Sequence, residues 1–291
     1  MPLLDVAGES VHLSDRGSGD VVVFLHAFPL HGAMWDYQVD AFADVRRCVA
    51  VDLPGFGLSP APASPGTATM DRWADLVAGA LDQLDVRTAT FVGCSMGGYL
   101  AMALLRRHPG LVGGLVLADT RARSDDDATA ARRFDQQRQL REGAEPMSLG
   151  KHLVEGLLST ASVQRVELLD YVLALAEGGT SEGWLDALEA MRTRPDSMYV
   201  LRQAEVPAMV IVGEVDRITP IADATLLRTL LGEGTELVVV PGSGHLPNVE
   251  DPYAFNDALA RFLGVELPAP PSAEEAPAQD AGTAGGEVEA G

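Results

Sequence analysis

The apolar positions of this chain fall into short β-branched runs set between longer stretches with helical spacing. Val21-Val22-Val23-Phe24-Leu25 is apolar throughout, the pattern of a strand buried on both faces. Arg47 to Val51, Thr88 to Val92, Gly114 to Asp119, Val206 to Val212 and Glu236 to Val240 also read as strands. Between them, residues 31–43, 70–84, 96–107, 220–231 and 251–263 read as helices. In 70–84, for example, Trp73, Leu76, Val77, Leu81 and Leu84 recur three to five positions apart. Residues 2–6 and 10–15 predict a hairpin that turns at Ala7-Gly8-Glu9. Strands alternating with helices imply an α/β fold, with a mostly parallel central sheet and helices on both faces.

The alternation stops at about residue 121 and resumes near 204. The intervening stretch has charged helical segments, breaks at Gly143, Gly150 and Gly178-Gly179, and no strand pattern. The reading is a core formed by 1–120 and 204–264, with 121–203 inserted as a helical lid. From 265 to 291 the chain has four prolines, six acidic residues, no aromatic and no Lys or Arg. Such a stretch cannot bury enough apolar area to offset its ordering entropy, so an acidic disordered tail is expected.

Charge narrows the partners. With 21 basic and 42 acidic residues the formal net charge is −21, which argues against nucleic acid and anionic membrane surfaces. No apolar run approaches the roughly 20 residues of a membrane span. Residues 1–5 show neither a basic segment nor an apolar one, so no signal peptide is expected. Cys48 and Cys94 are too few for a disulfide framework and read as free thiols. Together these features predict a soluble cytoplasmic protein.

The chemistry concentrates at strand ends. Phe91-Val92-Gly93-Cys94-Ser95-Met96-Gly97-Gly98 reads as a strand, a Gly-x-Ser-x-Gly turn and a helix start. Glycines flank the serine because strand and helix nearly touch there. A serine hydroxyl needs a base, and the base needs a partner that fixes its tautomer. Pro241-Gly242-Ser243-Gly244-His245 follows a strand and supplies the base. Gly213-Glu214-Val215-Asp216 follows another and supplies the acid, with Asp216 as the expected orienter and Glu214 and Asp119 as competitors. The backbone amides of Phe28, in His26-Ala27-Phe28-Pro29, and of Met96 are the expected oxyanion donors. His26 itself reads as structural. Asp52 to Ser59 lacks the lysine of a phosphate-binding loop and reads as a supporting turn. No metal or cofactor motif is present.

Over about residues 2–264 the chain resembles the lid-bearing α/β-hydrolases. HAFP, DLPGFGLS, GCSMGG, and the pair GEVDRITP and GSGHLPN carry the resemblance, and Ser95, Asp216, His245 follow that family's chain order. Alanine follows His26 where the family usually has glycine. LVLADTRARSDD and AMRTRPDS are similar to 3-oxoadipate enol-lactonase-like esterases and the cofactor-free haloperoxidase-esterase group. The resemblance implies a serine hydrolase acting on a small-molecule carboxylic ester or lactone through an acyl-enzyme. C–C bond hydrolysis or perhydrolysis on the same triad remains open, as does a slow-turnover ligand-binding or signalling role on the same fold. Within the insertion, Phe134, Trp184, Met191, Met198 and Tyr199 are candidates for an acyl pocket or for the insertion's own core, and Arg194 is a candidate for a substrate carboxylate or for a solvated surface.

Overall fold

Alternate residues of the apolar runs belong to opposite faces of one sheet. A computed structural model describes residues 3–267. Val23, Leu25, Val49 and Val51 enter one hydrophobic cluster, while Val22, Phe24, Cys48 and Ala50 enter another. That two-sided burial is what parallel strands with helices on both faces require.

The strands are β1 (Leu3–Val6), β2 (Glu9–Arg16), β3 (Val21–Leu25), β4 (Arg47–Asp52), β5 (Ala89–Cys94), β6 (Val112–Ala118), β7 (Ala208–Gly213) and β8 (Glu236–Val240). They form a single sheet in the order β1-β2-β4-β3-β5-β6-β7-β8. The β1–β2 and β2–β4 pairs are antiparallel; every pair from β4 onward to β8 is parallel. The helices are α1 (Asp36–Phe42), α2 (Met70–Gln83), α3 (Met96–Arg107), α4 (Asp127–Arg141), α5 (Pro146–Leu157), α6 (Val166–Glu177), α7 (Ser181–Thr193), α8 (Met198–Arg202), α9 (Ile221–Leu231), α10 (Pro247–Glu250) and α11 (Pro252–Leu263). Side chains of α2, α3 and α9 pack into the first cluster, and those of α1 and α11 into the second. Five helices, α4 to α8, lie between β6 and β7.

Three elements differ from expectation, each for a local reason. The helix expected over 31–43 starts as a 3-10 turn, Gly32–Trp35, capped by the His31 side chain. The strand expected from Val206 starts at Ala208, because Pro207 has no N–H to give to the ladder. The strand expected from Gly114 starts at Val112, since Gly113 and Gly114 conceal it in the sequence. At the other end, Val265 and Leu267 still pack against the second cluster. The rest of the expected tail, 268–291, lies outside the described residues. None of the helices described is long and apolar enough to cross a membrane.

Because β3 and β5 to β8 run parallel, their C-terminal ends share one edge of the sheet. His26, Ser95, Asp119, Asp216 and His245 all follow such ends. In open α/β sheets this edge is where ligands bind.

Candidate active site

Ser95 sits between β5 and α3 with φ 53 and ψ −111, a conformation that non-glycine residues rarely adopt. The neighbours enforce it. A Cβ on Gly97 would overlap the carbonyl of Leu25 at the end of β3, and one on Gly93 would overlap the carbonyl of Gly97. Ser95 N–H donates to Ala118 O at 2.9 Å, and the Thr120 hydroxyl donates to Ser95 O at 2.8 Å. The serine is thus pinned from the adjacent strand. Met96 is the first residue of α3, so its amide has no intrahelical acceptor and lies at the positive end of the helix dipole.

His245 is 1% exposed, and its Nδ1 lies 2.8 Å from Asp216 Oδ2. The same carboxylate accepts from the Thr219 hydroxyl at 2.6 Å, and its Oδ1 accepts from Ile218 N–H at 2.7 Å and Thr219 N–H at 3.2 Å. Burial alone would raise the Asp216 pKa; the attraction and hydrogen bond of His245, with these donors, outweigh it and hold the group at about 2. An ionised carboxylate can only accept, so Nδ1 is the donor to Asp216, and in the neutral imidazole this leaves the lone pair on Nε2. Two loops form the pair and are tied together: Val215 N–H donates to Ser243 O, and Gly213 has no room for a Cβ against Gly244.

Some supports were not evident from the sequence. Glu250, on α10, accepts from Gly244 N–H at 2.8 Å and from Ser159 N–H at 2.9 Å, fixing the backbone beside His245. Its partners lie 6 and 91 residues away, so no local motif announces it. Thr219 is easier to anticipate, as the third residue after an Asp in a turn. Glu214 braces the same loops by accepting from Gly242 N–H at 2.9 Å.

Asp119, the other competitor for the acid, lies in the same cluster. It has φ 42, is 1% exposed and accepts from Gly213 N–H at 2.9 Å through Oδ1. Its Oδ2 is buried without a partner. Burial first, and then the charge of Asp216, push its carboxyl well above the usual range. Donor atoms of Asp119, Asp216 and His245 all lie within 4.8 Å of one another. This is the one group of three with metal-ligand spacing among the described residues, and its Asp216 and His245 atoms are already engaged with each other.

His26 is a framework residue. Its Nε2 accepts from Leu53 N–H at 3.2 Å and its Nδ1 faces Ala27 O at 3.0 Å. Burial lowers its pKa to about 4. The turn after β4 is organised by Asp52, which accepts from Gly32 N–H at 2.7 Å and Leu58 N–H at 3.0 Å and meets His12 Nδ1 at 2.8 Å.

Ser95, His245 and Phe28 line a common cavity of about 540 Å³, together with Tyr99, Leu157 and Met191. Of the five insertion residues considered for an acyl pocket, Met191 alone lines it. Trp184 is fully buried against Phe28, with ring centroids 4.7 Å apart, while Phe134 and Tyr199 are 52% and 75% exposed. Arg194 is neither solvated nor free: it pairs with Asp125 at 2.8 Å and lies over the Tyr99 ring at 3.9 Å.

A strained serine after β5, a buried Asp–His pair after β7 and β8, and this sheet topology define a hydrolase fold. Residues 20–252 match the family model described as the alpha/beta hydrolase fold, and the chain belongs to that family. It is 29% identical over 245 residues to 3-oxoadipate enol-lactonase 2 of Acinetobacter baylyi, covering 83% of this chain and 88% of that one. It is 31% identical over 265 residues to a 2-hydroxy-6-oxononadienedioate/2-hydroxy-6-oxononatrienedioate hydrolase of Paraburkholderia phymatum, covering 87% and 91%. A thermophilic esterase from Thermogutta terrifontis superposes with a TM-score of 0.84 at 30% identity, covering 90% of this chain and 96% of that one.

Proposed function

We propose that the protein is a serine hydrolase that cleaves a small-molecule carboxylic ester or lactone through an acyl-enzyme. The buried 2.8 Å Asp216–His245 pair, opening with Ser95 onto one cavity, is the observation that supports this most. Ser95 Oγ attacks the carbonyl carbon while His245 Nε2 takes its proton. Asp216 keeps the imidazole in the required tautomer and stabilises the imidazolium. The amides of Phe28 and Met96 donate to the tetrahedral oxyanion. His245 then protonates the leaving alcohol, activates a water and releases the acid. Helices α4 to α8 serve as the lid over this chemistry. The enol-lactonase and esterase relatives support the ester reading.

The Paraburkholderia relative supports a second reading, C–C bond cleavage on the same residues. A panel of 4-nitrophenyl esters, lactones and a 2-hydroxy-6-oxo-2,4-dienoate separates the two. The central test is Ser95→Ala. Turnover of the best ester should fall on the order of 10⁴ to 10⁶-fold with the fold intact. A fluorophosphonate should label the parent protein and not the variant. A variant that keeps a tenth of the rate would end this reading.

A further inference from the structure

The cavity that holds Ser95 is cationic, although the protein is strongly anionic. Four of the chain's 21 basic residues line it, namely Arg121, Arg132, Arg133 and Arg217, and no Asp or Glu does. They converge from three separate segments: the end of β6, helix α4, and the loop between β7 and α9. On α4 the lining residues are Thr129, Arg132, Arg133 and Gln136, at spacings of three and four that make one helical face. This helix turns a basic and polar stripe toward the site.

Elsewhere several arginines of this protein pair with acids, and others donate to backbone carbonyls. Arg138 pairs with Glu142, Arg192 with Glu189, and Arg107 with Asp75. In the cavity, compensation of the four charges is incomplete. Arg133 is neutralised by Asp125 at 2.7 Å, but Asp125 also serves Arg194 at 2.8 Å, leaving one positive charge in excess. Arg121 donates to the carbonyl of Ile218, yet its buried Nε has no hydrogen-bond partner and only a 3.6 Å approach from Asp223. Arg132 has no carboxylate within ion-pair distance among the described residues. Arg217 has none either, and only a 3.5 Å contact with the Thr160 hydroxyl. Below this rim the wall is apolar, with Phe28, Leu153, Leu157 and Met191. A charged rim over an apolar wall beside a nucleophile fits an acyl chain that ends in an oxyanion.

We propose that the substrate is an acidic ester, whose acyl chain bears a carboxylate held at the cavity rim by Arg132 and Arg217, with Arg121 reinforcing the field. This rests on the ester-hydrolase reading above and narrows its substrate class. Guanidinium forks suit the planar carboxylate, and their field offsets the repulsion an anion meets from a protein of this net charge.

The probes are 4-nitrophenyl hemiglutarate and its neutral isostere 4-nitrophenyl valerate. At low ionic strength kcat/KM should favour the hemiglutarate at least tenfold, the preference residing in KM. Raising salt to about 0.5 M should erode it, because a partly exposed charge pair is screened. Arg132→Gln and Arg217→Gln should each lower the ratio of hemiglutarate to valerate kcat/KM about tenfold, the scale of one charge-assisted hydrogen bond. Equal turnover of the two esters, or variants that leave their ratio unchanged, overturns the proposal. Titration of monomethyl glutarate into Ser95→Ala separates the two claims. Binding that exceeds that of methyl valerate and is lost in Ser95→Ala/Arg132→Gln sustains the anion site even if no ester is turned over. Binding no tighter than methyl valerate rejects it even if esters are hydrolysed.

Discussion

Asp119 and Asp216 are two buried carboxyls close to one imidazole, and their surroundings shift their pKa values in opposite directions. Asp216 is surrounded by donors and its pKa is held at about 2; Asp119 has one donor and its pKa is raised. In the proposed mechanism Asp216→Asn should cost on the order of 10² to 10⁴ in kcat, through loss of the required tautomer. Asp119→Asn should cost less than about tenfold, since it removes no transition-state contact. Turnover of one ester by both variants decides between them, and the reverse order would move the acid to Asp119. Stability gives an independent readout. With its pKa raised on folding, Asp119 binds a proton that the unfolded chain releases above about pH 4. The native state therefore loses stability as pH rises above that point, by at most about 1.4 kcal/mol per pH unit, until the folded pKa is reached. Asp119→Asn should flatten this slope in chemical denaturation between pH 5 and 8. An unchanged slope would mean that Asp119 is ionised.

At the scale of elements, the residues that fix the elbow also make it legible. Gly93, Gly97 and the apolar run before them predict a strand, a turn and a helix, and α3 spans Met96–Arg107 as read. The insertion was legible as helical because its alternation was lost, but its inner surface was not. Spacing shows which side of a helix is apolar, not which helix faces a cavity. Trp184 and Met191 look alike in sequence, and yet one is locked between Phe28 and Gly150 while the other lines the cavity. Met191→Ala should therefore shift acyl-chain preference toward longer esters, with little loss on the shortest. Trp184→Ala should destabilise by about 3–5 kcal/mol in denaturant unfolding and reduce all esters alike. A chain-length shift in Trp184→Ala of the size seen for Met191→Ala would place both in the substrate wall. Arg132 and Arg133 gave no signal either, because basic residues on a polar helix usually mark a solvated face.

Across the whole molecule, the mostly parallel sheet and its two-sided burial followed from the apolar runs, whereas the strand order and the long-range supports did not. Glu250 acts on residues that only the folded chain brings near it. Cooperativity can be followed through the two thiols. Cys48 and Cys94 are free and buried, one on β4 and one at the elbow. Burial pushes the Cys48 thiol to about 12 and the Cys94 thiol well above its ordinary value. Neither should react with a disulfide reagent at pH 8 in the native state, and both should react together once the molecule opens. Early labelling of one thiol would show that its half of the sheet opens separately. The partnerless Oδ2 of Asp119 has a further consequence, for how this protein can change over generations. After burial, the charge of Asp216 is the next cause that raises the Asp119 pKa. When Asp216 is replaced by a neutral residue that restraint goes, and Asp119 moves toward ionisation within 4.8 Å of the His245 ring. Asp216→Asn should then depend on Asp119 for its residual rate, and the double variant should fall below the product of the single losses. A lineage could shift its acid from one strand to the next by single substitutions without passing through an inactive ancestor.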